Sequence, residues 1–182
     1  MFLKKIFIVC ALVFATNAKA DFMAQILSNY HSREYDGSET TLQEHHLFLG
    51  MPVAVKEQLY LGVNVTYTKE EGGTYLNTME YGPRINYYIN NDKTFLLLFA
   101  FNVAVSGDKK SASGQTNGDG DVSGSSFLAG LGYEFKVNSN FYLGATLLYH
   151  ASSLEFKGAN ADTTDIKYST LTPSINFCFR FR

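Results

Sequence analysis

The chain lacks several things that other fold and function classes need. Beyond its first twenty residues, no run of eighteen continuous apolar residues occurs, so no transmembrane helix is available. Only one of its two cysteines, Cys178, lies beyond that point, which excludes an internal disulfide. Tryptophan is absent altogether. Positive charge is also scarce: without Lys4, Lys5 and Lys19, 12 basic residues face 17 acidic ones, a net charge near −5. That balance disfavours a nucleic-acid partner, which needs a basic patch. No nucleotide-binding loop, dinucleotide fingerprint or hydrolase elbow occurs, and no cofactor is expected.

The first twenty residues read as an address. Lys4 and Lys5 form a positive start, Ile6 to Ala15 an apolar run of about ten, and Ala18-Lys19-Ala20 a small-x-small cleavage pattern. A lipoprotein signal at Cys10 is opposed by bulky Val9 before it and by the apolar run that continues past it. Residues 1–20 are therefore expected to be a signal peptide, and residues 21–182 one domain.

What the chain has is alternation. Leu171, Pro173, Ile175, Phe177, Phe179 and Phe181 share one parity, while Thr170, Thr172, Ser174, Asn176, Cys178 and Arg180 share the other. A strand throws successive side chains to opposite faces, so this segment has one apolar and one polar surface. Eight such strands can be laid along the chain, at about Phe22–Arg33, Leu42–Val53, Gln58–Thr68, Tyr75–Ile89, Thr94–Val105, Ser123–Val137, Asn140–Phe156 and Ile166–Phe181. Strands two to eight carry their apolar face on odd numbers, with Val105 closing the apolar series of the fifth. The first has the least distinct faces.

Short turns near Ala54–Glu57, Asn90–Lys93 and Asn138–Ser139 alternate with longer loops at Glu34–Thr41, Lys69–Thr74, Ser106–Val122 and Lys157–Asp165. Short turns at one end and long loops at the other match the two ends of a bacterial outer-membrane barrel. The reading is an all-β, eight-stranded antiparallel up-and-down transmembrane β-barrel. A soluble barrel enclosing an apolar ligand is the rival. Two features oppose it. Glycines stud the polar face (Gly50, Gly62, Gly82, Gly130, Gly132, Gly144), as suits a narrow interior. Tyr67, Tyr75, Tyr87, Phe95, Tyr133, Phe141, Tyr149 and Phe181 place rings near strand ends, where headgroup girdles form.

The whole of residues 21–182 resembles the small eight-stranded outer-membrane barrel proteins of Gram-negative bacteria, the OmpX-, OmpW- and opacity-like families. The most specific part is the end, SINFCFRFR, where Phe177, Phe179 and Phe181 match the family's terminal assembly signal; Arg182 departs from it by following the last Phe. The resemblance implies an outer-membrane location, outer-membrane lipid and lipopolysaccharide as surroundings, and the barrel assembly machinery as partner, engaging the last strand as an exposed edge.

The polar face then becomes the lumen. Glu44, His46, Glu80, Arg84, Glu134, Lys136, His150 and Arg180 share its parity, and Glu80/Arg84 and Glu134/Lys136 are expected to pair, since unpaired ions are costly there. Eight strands leave just enough interior for side chains to fill, so a packed polar core is expected in preference to a narrow pore.

Three further sites suggest chemistry. His45-His46 point to opposite faces of a strand and cannot chelate one metal together, so no metal site is expected. Asn117-Gly118-Asp119-Gly120-Asp121 has alternating oxygen ligands, but Val122 and Leu128 stand where a calcium loop needs Gly and Glu. His150-Ala151-Ser152 resembles the His-x-Ser of the lipid A deacylases, which are also eight-stranded barrels. That resemblance implies His150 as general base, Ser152 as nucleophile, and Asp162 or Asp165 as the orienting acid. Ser153 stands where that family has Asn, and parity turns His150 and Ser152 inward, away from lipid. The expected role is therefore structural or surface-interacting and non-catalytic, with a possible extracellular ligand at the loops. A narrow solute channel and a deacylase-like hydrolase are the alternatives.

Overall fold

A computed structural model describes residues 21–35, 38–53, 58–72, 74–111, 119–158 and 163–181. Residues 1–20, expected to be a signal peptide, the expected turn at Ala54–Glu57 and Arg182 lie outside the described residues. Eight strands follow one another: β1 (Phe22–Tyr35), β2 (Ser38–Pro52), β3 (Leu59–Glu71), β4 (Thr74–Tyr88), β5 (Phe95–Ser111), β6 (Gly120–Lys136), β7 (Phe141–Gly158) and β8 (Thr163–Phe181). Each pairs antiparallel with the next, and β1 pairs with β8 to close the barrel.

The strands run 13 to 19 residues, against the roughly 9–11 that a tilted strand needs to cross a bilayer. The excess lies at the long-loop end and corrects the expected loops. Residues Glu34, Tyr35 and Ser38–Thr41 are strand, paired as Glu34 with Glu39 and Tyr35 with Ser38. Lys69–Glu71 and Thr74 are strand as well, and both long later loops are shortened from each side. Gly120 and Asp121 of the calcium-like stretch belong to β6; Asn117 and Gly118 lie outside the described residues.

The wall faces outward with its apolar side. Phe95, Phe99, Phe101, Leu131, Tyr133, Phe135, Leu147, Leu171, Ile175, Phe177, Phe179 and Phe181 are all exposed. At the short-turn end, rings from neighbouring strands meet. Phe22 stacks on Phe181 with centroids 4.3 Å apart, Phe141 lies 4.8 Å from Phe179, and Phe95 lies 5.1 Å from Tyr133. Each such pair is worth about 0.5–1.5 kcal/mol beyond its buried area. An uninterrupted apolar exterior of this kind has a hydrocarbon solvent as its physical complement.

Two local features change which residues face in. In β5 the registers with β4 and with β6 both slip by one residue near Val103–Ala104, a β-bulge. Val103 is exposed and Val105 is buried, so Val105 leaves the outer apolar series where alternation had placed it. It packs inside with Leu76, Val122 and Leu154. In β1 the inward residues are Met23, Gln25, Leu27 and Asn29, an even mixture of apolar and polar. The β1–β8 ladder runs only from Phe22↔Phe181 to Ser28↔Ile175. The next part of β8 contains Pro173, which has no N–H to donate.

Candidate functional site

The lumen is the most elaborate part of the molecule. Its short-turn half holds Met23, Leu27, Phe48, Tyr60, Tyr88, Leu96, Leu98, Leu128, Leu148 and Cys178 as one apolar cluster. Polar groups are threaded through that packing in three linked sets, each drawing on several strands.

In the first set Glu134 on β6 receives four donors. Gln25 Nε2 and Asn176 Nδ2 each lie 2.6 Å away, Tyr88 Oη donates at 3.0 Å, and Arg180 Nη2 forms an ion pair with it. The guanidinium of Arg180 is sandwiched by rings, 4.3 Å from the centroid of Tyr88 and 3.8 Å from that of Tyr142. It also donates to the Lys93 carbonyl at 3.0 Å. Lys93 adopts a left-handed conformation (φ 53°) in the β4–β5 turn, and its ammonium lies 5.7 Å from the Tyr60 ring centroid. The partner expected for Glu134 was Lys136, which instead is exposed at the end of β6. Two residues along a strand brings a side chain to the same face but also to the barrel's rim, where water solvates the ammonium.

The second set surrounds Arg84 on β4. Its Nε donates to Asn86 Oδ1 at 2.9 Å, Nη1 donates to Asn64 Oδ1 at 3.4 Å, and Nη2 donates to Gln25 Oε1. The guanidinium lies over Phe48, 5.0 Å from its centroid. Gly50 makes room for that ring, since a Cβ there would land on Phe48 Cζ. The expected Glu80/Arg84 pair does not form. Neutral amides hold Arg84, and Glu80 faces the other way along the barrel.

The third set centres on His150 of β7. Its Nδ1 lies 2.6 Å from Glu44 Oε1 and its Nε2 lies 3.0 Å from Glu80 Oε2. Both carboxylates are fully buried. Glu80 also accepts from Asn102 Nδ2 at 2.9 Å and from Ser126 Oγ, while Glu44 accepts from Asn29 Nδ2 at 3.0 Å. With a carboxylate oxygen at each ring nitrogen, His150 donates at both, which is the bonding of an imidazolium. Among the described residues the buried charges are then three carboxylates (Glu44, Glu80, Glu134) and four cations, Arg84, Arg180, His150 and, at the short-turn end, Lys93. His46 stands beside this set, edge-on to His150 at 5.8 Å and bonded through Nδ1 to Thr66 Oγ1 at 2.9 Å.

Ser152 Oγ lies 3.1 Å from His150 Nε2, so a Ser–His–Glu sequence does exist, with Glu44 as the acid. Asp165 is not part of it: it lies on the outer face opposite Glu155. Asp162 lies outside the described residues. Among the described residues, no group of three metal-ligating side chains converges. The polar residues that sequence reasoning passed over are the uncharged ones, Gln25, Asn29, Asn64, Asn86, Asn102 and Ser126. Inward parity was their only signal.

No family profile and no curated protein sequence matches the chain. Solved structures do. The outer membrane protein OprG from Pseudomonas aeruginosa is similar over 89% of this chain and 96% of its own, with a TM-score of 0.50 and 10% identity. The β domain of the Bordetella autotransporter BrkA covers 87% of this chain at a TM-score of 0.49 and 12% identity, with 70% of its own length matched. The translocator domain of the autotransporter NalP from Neisseria meningitidis covers 99% of this chain and 95% of its own, at 0.40 and 10%. The likeness to OprG concerns the fold, which is an all-β antiparallel barrel of the outer-membrane kind.

Proposed function

We propose that this protein is an integral outer-membrane barrel with a filled lumen, acting through the surface that its strands and loops present outside the membrane. One observation carries this reading. The inward side chains of all eight strands interlock, and the buried charged groups among the described residues are each held by hydrogen bonds or opposite charge. A continuous water path would have to displace packed side chains and break buried ion pairs, each costly. Phe177, Phe179 and Phe181 lie on the outward face of β8, where the assembly machinery would meet them as the closing edge. Liposome swelling in a small sugar tests the reading. Liposomes holding the refolded protein are expected to swell no faster than empty ones; a rate that grows with protein content contradicts it.

The Ser152–His150–Glu44 sequence supports a second, hydrolytic reading, and two observations weigh against it. A general base needs a free lone pair facing the nucleophile, whereas both nitrogens of His150 face carboxylates. Ser152 itself is turned into the wall and is only 5% exposed. Lipid A mass spectra from cells expressing the parent or Ser152→Ala decide between them. Identical acyl patterns leave the non-catalytic reading in place.

A further inference from the structure

Around His150 the lumen contains buried polar atoms with no hydrogen-bond partner among the described residues: Asn29 Oδ1, His46 Nε2, Thr68 Oγ1, Tyr168 Oη and Thr170 Oγ1. The side chains of Asn29, His46 and Thr68 are almost or wholly excluded from solvent. Such atoms are costly unless something else bonds to them. Register and side-chain contacts bring them to one place. Asn29, Glu44 and Thr68 form one inward row across β1, β2 and β3. On the β8–β7 ladder Thr170 stands opposite His150, and Tyr168 stands opposite Ser152. The 2.6 Å bond between His150 and Glu44 joins these two groups. The Tyr168 ring lies edge-on to His150 at 5.6 Å, and its hydroxyl faces Thr68 and Ser152.

Charge and topology point the same way. Glu44 and Glu80 share the single imidazolium of His150, two carboxylates against one cation, which leaves this set at a net charge of −1. Arg84 is held by Gln25, Asn64 and Asn86, Arg180 by Glu134, and Lys93 lies against Tyr60 at the short-turn end. The same place is where the barrel is least well closed. The β1–β8 ladder stops at Ser28↔Ile175, one residue short of Asn29. Beyond it Asn29 Nδ2 donates to Thr172 Oγ1 at 3.1 Å and to Ser174 Oγ at 3.3 Å, so side chains take over from backbone pairs.

We propose that a monovalent alkali cation binds at this point, held by the carboxylate of Glu44 and the neutral oxygens of Asn29, Thr68, Tyr168 and Thr170. The ion brings the charge of the set to zero, where a divalent ion would leave it at +1. It also gives a partner to each of the four orphaned oxygens, and ties β1, β2 and β3 to β8 across the stretch that lacks a backbone ladder. Alkali ions exchange their hydration shell for neutral oxygens. A site of this kind therefore needs one carboxylate and none of the His or Cys clusters that hold transition metals. The inference concerns how the barrel is closed, so its failure leaves the filled-lumen reading and the swelling test untouched.

Urea unfolding of the refolded full barrel from liposomes tests the site, in sodium, potassium or N-methylglucamine chloride at one ionic strength. The organic cation is too large to enter and screens surface charge equally. The midpoint is expected to be higher in sodium or potassium chloride by roughly 0.5 M, the shift given by a ligand at about ten times its Kd. Thr68→Val and Thr170→Val keep the shape of the side chain and remove only the orphaned hydroxyl. Both should lower the midpoint in the alkali salt and leave it unchanged or raised in the organic one, where the hydroxyl has no partner to lose. The heat-sensitive gel mobility of a closed barrel verifies that each variant has folded. A midpoint indifferent to the cation overturns the proposal. So does an equal loss in all three salts from the valine variants, the result a bound water molecule would give, and so does a gain in all three, which would show that nothing binds these hydroxyls.

Discussion

Val103 and Val105 sit two positions apart on one strand and face opposite media. Val103 is 63% exposed on the outer wall, and Val105 is 4% exposed inside. The β5 bulge between them inserts one residue against both neighbouring strands and so reverses the alternation. A fluorophore on a cysteine at position 103, in a Cys178→Ala background, should be quenched by a nitroxide on the lipid chains. The same label at position 105 should escape. Equal quenching at both positions would mean that the bulge is absent.

The pairing of Glu134 with Arg180 instead of Lys136 gives a double-mutant prediction. The Glu134/Arg180 cycle, measured by guanidinium unfolding from micelles, should show a coupling of about 1.5–3 kcal/mol, as expected for a buried charged hydrogen bond. The Glu134/Lys136 cycle should be near zero, and Lys136→Ala alone should stay within about 0.5 kcal/mol of the parent. A large Lys136 coupling would contradict the placement of its side chain at the rim.

His150 is hydrogen-bonded to two buried carboxylates at once, Glu44 and Glu80. His150→Leu should therefore destabilise the barrel by about 3–5 kcal/mol, the cost of leaving buried charges unpaired. Adding Glu44→Gln and Glu80→Gln removes those charges and should recover much of the loss. An unchanged unfolding midpoint in His150→Leu would show that neither carboxylate depends on it.

Arg84 rests on amides and on the Phe48 ring, with no carboxylate bonded to it. Arg84→Met keeps much of the packing volume and should cost less than Arg84→Glu, which introduces a third-set-like carboxylate without a cation. The charge reversal should lower stability by about 3 kcal/mol or more. Equal effects of the two substitutions would mean that charge at this position is immaterial.

Much of this fold can be read from the sequence because period-two alternation is a direct consequence of strand geometry. β5 to β8 carry long series of apolar and aromatic residues on one parity. β1 was the obscure strand for a physical reason: Gln25 and Asn29 share its inner face with Met23 and Leu27, since this lumen mixes apolar and polar packing. The bulge was invisible because Val103, Ala104 and Val105 are all compatible with either face. The loops were overestimated because polar residues such as Glu39, Thr40 and Lys69 suit a strand that has left the membrane as well as they suit a loop. Parity located the inner charges but not their partners. Neighbours in sequence, such as Glu80 and Arg84, lie along one wall, while their bonds run to other strands, Glu80 to His150 on β7 and Arg84 to Gln25 on β1.

Single-channel recording across a planar bilayer addresses the filled lumen most directly. The refolded parent protein, applied at either polarity in high salt, should give no unitary steps above the bilayer background. Reproducible steps of fixed size, shifted by Arg84→Glu, would place a water-filled path through the residues described here as packed.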